Sequence, residues 1–172
     1  MLERYIADLQ QADAEARYNA AQELGRLGDA RAVAPLIAAL PAADDKLQYA
    51  IVSSLIKIGD AQAAAPLLSH LLTELGSRVW GLMKLNIGMR LRHGLLDLVA
   101  RGDAAALAQA RAALETEGLD EQQRAFFTRA LGRAGSENEI ELLLAAVRWE
   151  VTDVRVAAIE ALGWLGSPQA VG

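Results

Sequence analysis

Apolar residues recur at spacings of three and four along almost the whole chain, which is the pattern of amphipathic helices. Residues 13–43 contain two such helices in succession: the first carries Ala20, Ala21, Leu24 and Leu27 inward, and the second carries Val33, Leu36, Ile37 and Leu40. No run of residues resembles a strand, and aromatic residues make up only 5% of an alanine-rich chain. The pattern therefore predicts an all-α fold.

Residues typical of helix ends divide the stretch 13–43. Asp13 precedes the first helix, where its side chain can accept hydrogen bonds from unpaired amides. Gly25 and Gly28 close that helix, and Gly28 suits the left-handed conformation that ends many helices. Asp29 can cap the next short turn, and Pro35 lies in the first turn of the second helix, where its missing N–H costs little.

The same residue types return along the chain. Asp44, Gly59, Asp60 and Pro66 follow their counterparts in the first copy at one constant interval, and later copies contain Gly102 with Asp103, Asp120 with Gln123, Gly135, and Gly166. We divide the chain into a capping helix, 1–12, and five repeats: 13–43, 44–76, 77–119, 120–150 and 151–172. A single helical hairpin cannot bury its apolar side alone, so the hairpins are expected to stack side by side as one domain.

The third and fifth repeats depart from the pattern. The interval from Gly59 to Gly102 exceeds the regular one by about 12 residues, and the apolar spacing favours an elongated first helix that starts near Ser77. Gly94 and two neighbouring glycines in this helix indicate close packing or a bend. The fifth repeat reaches only the start of its second helix at SPQAVG, so we expect an apolar face that is covered either by a continuation of the natural protein or by another chain, which could be a second copy of this one.

The motif D-x-x-x-R-x-x-A-A-x-x-L-G-x-L-G-D, followed by A-V-x-P-L-I, resembles the HEAT-like repeat of the phycobilisome lyase (PBS lyase) type. The resemblance implies an α-α superhelix, a right-handed solenoid of about five HEAT-like hairpins whose second helices line a concave binding face. It also places Arg17, Arg124 and Arg155 at the family's arginine position, which implies hydrogen bonds to neighbouring repeats. The family includes bilin lyase subunits and scaffolds, so it implies no single function.

Composition narrows the possible chemistry. There are no cysteines, so disulfides and thiolate sites are excluded, and we found no motif for a nucleophile, a metal or a phosphate-binding loop. We therefore expect no catalytic residue, no metal and no cofactor, although the resemblance leaves a bilin or another tetrapyrrole open. No apolar run is long enough to cross a membrane, and a cytoplasmic location is the default expectation.

The strongest local anomaly is the basic segment from Gly76 to Gly102, which carries five cations against one carboxylate, Asp97, in a chain of net charge -5. Our candidate partner-binding residues are Trp80, Lys84, Asn86, Arg90, Arg92, His93 and Arg101, with His70 from the preceding repeat. They could dock an acidic partner or an anionic ligand. The alternative is a solvated face on which His93 and Arg101 flank Asp97.

The tryptophans divide into two groups. Trp80 is the best candidate for an exposed anchor, whereas Trp149 and Trp164 are expected to pack between repeats.

The sequence is compatible with three functions. The leading hypothesis is a non-enzymatic scaffold or adaptor that holds another protein on the concave face and the enlarged third repeat. The first alternative is a subunit of a bilin lyase or a tetrapyrrole-handling chaperone. The second is a helical-repeat protein that binds nucleic acid, which the acidic net charge disfavours.

Overall fold

The computed structural model describes residues 1–11, 13–72, 89–115, 119–134 and 137–166, and every regular element in these ranges is helical. The α-helices are α1 (Leu2–Asp8), α2 (Ala14–Leu27), α3 (Val33–Ala39), α4 (Asp45–Ile58), α5 (Ala64–Leu71), α6 (Met89–Ala100), α7 (Ala104–Glu115), α8 (Glu121–Ala134), α9 (Ile140–Ala146) and α10 (Thr152–Trp164). Short 3₁₀ turns precede α3, α5 and α9.

The first hairpin, α2 with α3, is delimited by the residues that the sequence indicated. The Asp13 carboxylate accepts a hydrogen bond from the Ala16 amide at 2.8 Å, so it caps α2. Gly28 ends the helix with a φ of 67°, a conformation that glycine adopts without steric cost. Asp29 then accepts a hydrogen bond from the Arg31 amide at 3.0 Å and starts the 3₁₀ turn before α3.

The later hairpins reuse this local chemistry. Asp44 caps α4 through the Leu47 amide at 2.9 Å, and Gly59 ends that helix with a φ of 69°. Asp120 and Gln123 exchange hydrogen bonds at 2.8 and 2.9 Å, which is a capping box. Val151 stands at the corresponding place before α10 and provides no side-chain cap.

The helices form two layers, which confirms the predicted all-α solenoid. The first helices of the hairpins, α2, α4, α6, α8 and α10, pack each against the next along the chain. Helices α1, α3, α5, α7 and α9 form the second layer, in which α5 packs against α7. Residues at the same position of successive hairpins meet in the first layer: Lys46 on α4 pairs with Glu15 on α2 at 2.9 Å.

Glycines permit the first-layer helices to approach closely. A Cβ on Gly25 would lie 2.6 Å from Ser54 Cβ, and the Ser54 hydroxyl donates a hydrogen bond to the Ala21 carbonyl at 2.8 Å. Gly132 faces Ala161 in the same way, and Gly94 faces Ile56. The glycine that we expected to indicate close packing in the third repeat, Gly94, therefore does so.

Two expectations for the first hairpin were wrong. Gly25 does not close α2 but lies inside it, because the position serves the contact with Ser54. Leu27 does not point into the core and is 37% exposed, because it is the last residue of α2 and lies between Arg26 and Gly28, which are also exposed.

The first and fourth hairpins coincide in their limits. Helices α8 and α9 begin and end at one constant offset from α2 and α3, and the 3₁₀ turns between them follow the same offset. The two hairpins can therefore be compared position by position.

Three predicted features lie outside the described residues: the start of the elongated helix near Ser77, Gly135 and the segment SPQAVG. Within the described ranges no helix is both long and apolar enough to span a membrane.

Candidate partner-binding surface

The structure describes part of the predicted site. Trp80, Lys84 and Asn86 lie outside the described residues, and Arg90 and Arg92 are described only as part of the α6 backbone. His93 lies on α6 and Arg101 directly follows this helix, and both side chains are exposed. His70 lies on α5 and is half-buried. Burial lowers the pKa of the His70 imidazole, because the buried ring favours its neutral form.

Asp97 on α6 is tied to the next hairpin. Its carboxylate forms an ion pair with Arg133 on α8, and Arg101 donates a hydrogen bond from Nε to the Asp97 backbone carbonyl at 3.0 Å. Asp97, Ala100, Arg101 and Arg133 line a shallow cleft of about 380 Å³. The expected solvated face on α6 is therefore shared with α8 and includes an arginine that the sequence analysis did not consider.

A second cleft adjoins the first and extends to α10. It has a volume of about 360 Å³ and is lined by His93 and Leu96 from α6, Arg129 and Arg133 from α8, and Glu160 and Trp164 from α10. Arg129 donates a hydrogen bond from Nε to Glu160 at 2.7 Å. The Arg133 guanidinium lies 5.4 Å from the centre of the Trp164 ring, so one side chain contacts both Asp97 and Trp164.

We call this continuous area the α6–α8–α10 surface; it comprises His93, Asp97, Arg101, Arg129, Arg133, Glu160 and Trp164. Arg129 and Arg133 are each paired with a carboxylate, and one arginine is left in excess among these side chains. Of the five cations in the predicted basic segment, Arg101 is the one whose side chain the structure describes. Arg101 is exposed and bonds a backbone carbonyl rather than a carboxylate, so it contributes the excess positive charge.

Trp164 was expected to pack between repeats, and this expectation was wrong. The side chain is 50% exposed, because it lies at the end of α10 on the side that faces the cleft, opposite Arg133. Trp149 behaves as expected: it is half-buried against the core, and the Arg124 guanidinium lies 5.6 Å from its ring centre. The exposed ring of Trp164 was missed because helical spacing alone does not show where covering side chains end.

The three arginines at the repeat position behave differently from each other. Arg124 donates from Nη1 to the Leu114 carbonyl at 2.7 Å, so it joins its hairpin to the preceding one as expected. Arg155 instead donates to the Thr152 hydroxyl of its own helix at 3.3 Å. Arg17 lines a cleft, and its Nε is buried without a hydrogen bond. Among the described residues, the implied hydrogen bond to a neighbouring repeat is therefore found at Arg124 and not at the other two.

The contacting residues that the sequence analysis missed could have been found from the spacing of the repeats. Arg129 and Glu160 occupy one position in successive hairpins, and so do Arg133 and Trp164. An alignment of the repeats places the members of each pair in one column, so the signal is present in the sequence. Within the described ranges, no group of three His, Cys, Asp or Glu side chains is placed to hold a metal ion.

Comparison with known families gives two matches. Residues 3–80 match the model of HEAT repeats, and residues 154–171 match the model of the PBS lyase HEAT-like repeat. No curated protein matches the chain.

Proposed function

Because the chain is a HEAT-like repeat protein, we propose that it is a protein-interaction module whose partner docks on the α6–α8–α10 surface. HEAT repeats generally mediate protein–protein interactions, and the stacked hairpins provide a rigid and extended surface for this purpose.

The observation that carries the proposal is the exposed Trp164 beside Arg133. Tryptophan and arginine are among the side chains most enriched at the positions that dominate binding energy. Here the ring is 50% exposed, and the guanidinium that covers one side of it is held by Asp97 on another helix. Both groups are therefore positioned before a partner arrives, which reduces the entropy lost on binding.

The charge of the surface indicates the partner. Arg101 is exposed beside the first cleft, and Arg90 and Arg92 belong to the first turn of the same helix. We propose that the docking segment of the partner presents carboxylates toward α6 and an apolar or aromatic side chain toward Trp164.

The other predicted residues are part of the proposal because of their positions in the sequence. Trp80, Lys84 and Asn86 precede α6 in the enlarged third repeat and would extend the surface. His70 lies in the second layer, on the face expected to be concave. We place the main contact on the α6–α8–α10 surface because the exposed aromatic ring is there.

The test is capture of a partner by the whole chain, followed by titration of the identified partner against variants. Trp164→Ala and Arg133→Gln are each expected to weaken the Kd at least about tenfold, the usual effect of truncating a dominant contact. Arg101→Glu is expected to reduce the association rate, and this reduction should shrink as salt is added.

Arg26→Gln is the matched control. Arg26 is exposed on α2, far along the chain from the proposed surface, and pairs only with Glu23 of its own helix at 2.9 Å in the described structure. A partner whose Kd is the same for Trp164→Ala, Arg133→Gln and Arg26→Gln would place binding elsewhere and refute the proposed surface.

A further inference from the structure

The first hairpin contains a cleft of about 310 Å³ that the proposed function does not use. It lies between α1, the end of α3 and the start of α4. Leu9, Ala42 and Leu47 contribute apolar walls, Gln10 and Gln11 contribute amides, and Arg17 enters from α2. Arg17 is the one charged side chain among the described residues that line the cleft.

The fourth hairpin shows how the same place is partly filled elsewhere in the molecule, where a shallower cleft of about 460 Å³ remains beside Arg124 and Trp149. Its helices have the same limits as those of the first hairpin, so Arg124 corresponds to Arg17, and Trp149 corresponds to Ala42. There the arginine donates to the Leu114 carbonyl at 2.7 Å, and the tryptophan ring lies 5.6 Å from the guanidinium. Arg124 also donates from Nε to the Leu119 carbonyl at 3.4 Å, so two backbone carbonyls and one aromatic ring contact the arginine of the fourth hairpin.

The first hairpin lacks the ring, and its arginine has no acceptor among the described residues. Alanine at position 42 leaves the volume of the indole ring empty, and the Arg17 side chain makes no hydrogen bond or ion pair with any described residue. Its Nε is buried, and an unpaired buried donor is destabilising because it has lost its bonds to water. A ligand that supplied an acceptor and a ring would recover both interactions.

We propose that this cleft is a binding site for an aromatic carboxylate. The ring would occupy the place that Trp149 fills in the fourth hairpin, against the face of the Arg17 guanidinium. The carboxylate would accept hydrogen bonds from Arg17, and an ionised acceptor bonds a guanidinium more strongly than the peptide carbonyl that Arg124 uses. The volume is at the lower end of the range of small-molecule sites, so it suits one ring system with a short acid chain.

This chemistry has two sources, a free aromatic acid or the last residue of a polypeptide that ends in an aromatic side chain. Indole-3-acetate is the probe for the first, and a short peptide ending in tryptophan with a free carboxylate is the probe for the second. Indole alone and acetate alone report the separate contributions of the ring and the acid. The site goes beyond the proposed function, since none of its residues belongs to the α6–α8–α10 surface.

Titration calorimetry or chemical-shift mapping on the whole chain tests the proposal. Indole-3-acetate is expected to bind with a Kd on the order of 1 mM or tighter, at least about tenfold tighter than indole or acetate. Ala42→Trp places the residue of the fourth hairpin in the cleft and should abolish binding while the thermal midpoint is kept. Arg17→Gln, which copies Gln48 at the same position of the second hairpin, should reduce binding of the acid to the level of indole.

Arg4→Gln is the control and should leave binding unchanged, because Arg4 is on α1 outside the cleft and pairs with Asp8.

The outcomes identify the ligand. If the peptide binds more tightly than indole-3-acetate, the site is for a polypeptide terminus, and if it binds more weakly, the site is for a free acid. The proposal is overturned if neither probe binds at about 10 mM, a concentration well above the expected Kd. Equal binding by Arg17→Gln and the unaltered chain would overturn it as well, and that result does not depend on whether Ala42→Trp folds.

Discussion

Glu139 and Arg111 join the third and fourth hairpins through the second layer. The Glu139 side chain has no exposed surface, and Arg111 on α7 donates from Nε to its two carboxylate oxygens at 2.7 and 2.8 Å. The Arg111 side chain is 41% exposed, so one partner is buried and the other reaches it from the surface. These hydrogen bonds from the guanidinium raise the pKa of Arg111.

Removing the arginine is predicted to destabilise the chain. Arg111→Ala leaves a buried carboxylate without its charged donor, and we expect a loss of about 2 kcal/mol in the free energy of unfolding. Urea titration followed by circular dichroism measures it. Arg26→Ala, which breaks an exposed pair within one helix, should cost less than about 0.5 kcal/mol.

The double variant Arg111→Ala with Glu139→Ala measures the interaction energy between the two side chains separately from the effect of removing each one. It should be less destabilised than the sum of the two single variants, because it removes the unpaired carboxylate together with the arginine. If Arg111→Ala were no more costly than Arg26→Ala, the buried pair would not support the joint between the hairpins.

Two glycines at one repeat position should respond oppositely to the same substitution. A Cβ on Gly132 would lie 2.5 Å from Ala161 Cα, whereas a Cβ on Gly163 would meet no described atom within 4 Å. We predict that Gly132→Ala costs about 1–3 kcal/mol, because α8 and α10 must move apart. Gly163→Ala should gain up to about 1 kcal/mol from helix propensity. Thermal and urea unfolding of the two variants measure the difference, and destabilisation of equal size would contradict it.

The carboxyl of Asp29 gives a prediction for pH. The pKa of Asp29 is lowered from 3.8 to about 2, first because the Arg31 side chain donates to the carboxylate and second because the Arg31 amide does. Because the folded pKa is the lower one, the contribution of this group to stability is present above about pH 4 and is lost as the pH falls toward 2. The group is on the surface, so the effect on overall stability is small.

The titration of Asp29 itself is measurable by carbon-detected NMR. In Arg31→Gln we expect the pKa to rise part of the way toward 3.8, since the backbone donor of residue 31 is retained. Asp60 caps the corresponding turn of the second hairpin, where residue 62 is a glutamine, and provides the comparison within the same chain. An unchanged pKa in Arg31→Gln would exclude the side chain as the main cause.

The parts of the structure that the sequence predicted depend on near neighbours in the chain. Asp13 caps α2 through an amide in the first turn of that helix, and Gly28 ends it through its own backbone freedom. Such interactions are decided within one turn of helix, so residue type and spacing suffice to predict them. The all-α stack follows from the periodicity of the apolar residues and the recurrence of these helix ends.

The parts that the sequence did not predict depend on residues that are distant in the chain. The partners of the repeat arginine lie on other elements: Arg124 donates to the Leu114 carbonyl of the preceding hairpin and contacts the Trp149 ring, whereas Arg17 has Ala42 in place of the ring. Likewise, the ion pair of Asp97 comes from another helix, and the exposure of Trp164 depends on what α8 and α10 leave uncovered. Periodicity gives the buried side of each helix but not the identity of the side chains across the interface.

The same-position contacts between neighbouring hairpins bear on how such an array could have grown. Glu15 meets Lys46, and Arg129 meets Glu160, each across one repeat length. A newly duplicated repeat would place glutamate against glutamate or arginine against arginine, and like charges at this distance repel. An ancestral tandem duplication would therefore have favoured mutations that reverse the sign in one of two neighbouring copies, and a consensus protein made from one averaged repeat would lose these opposite-charge pairs.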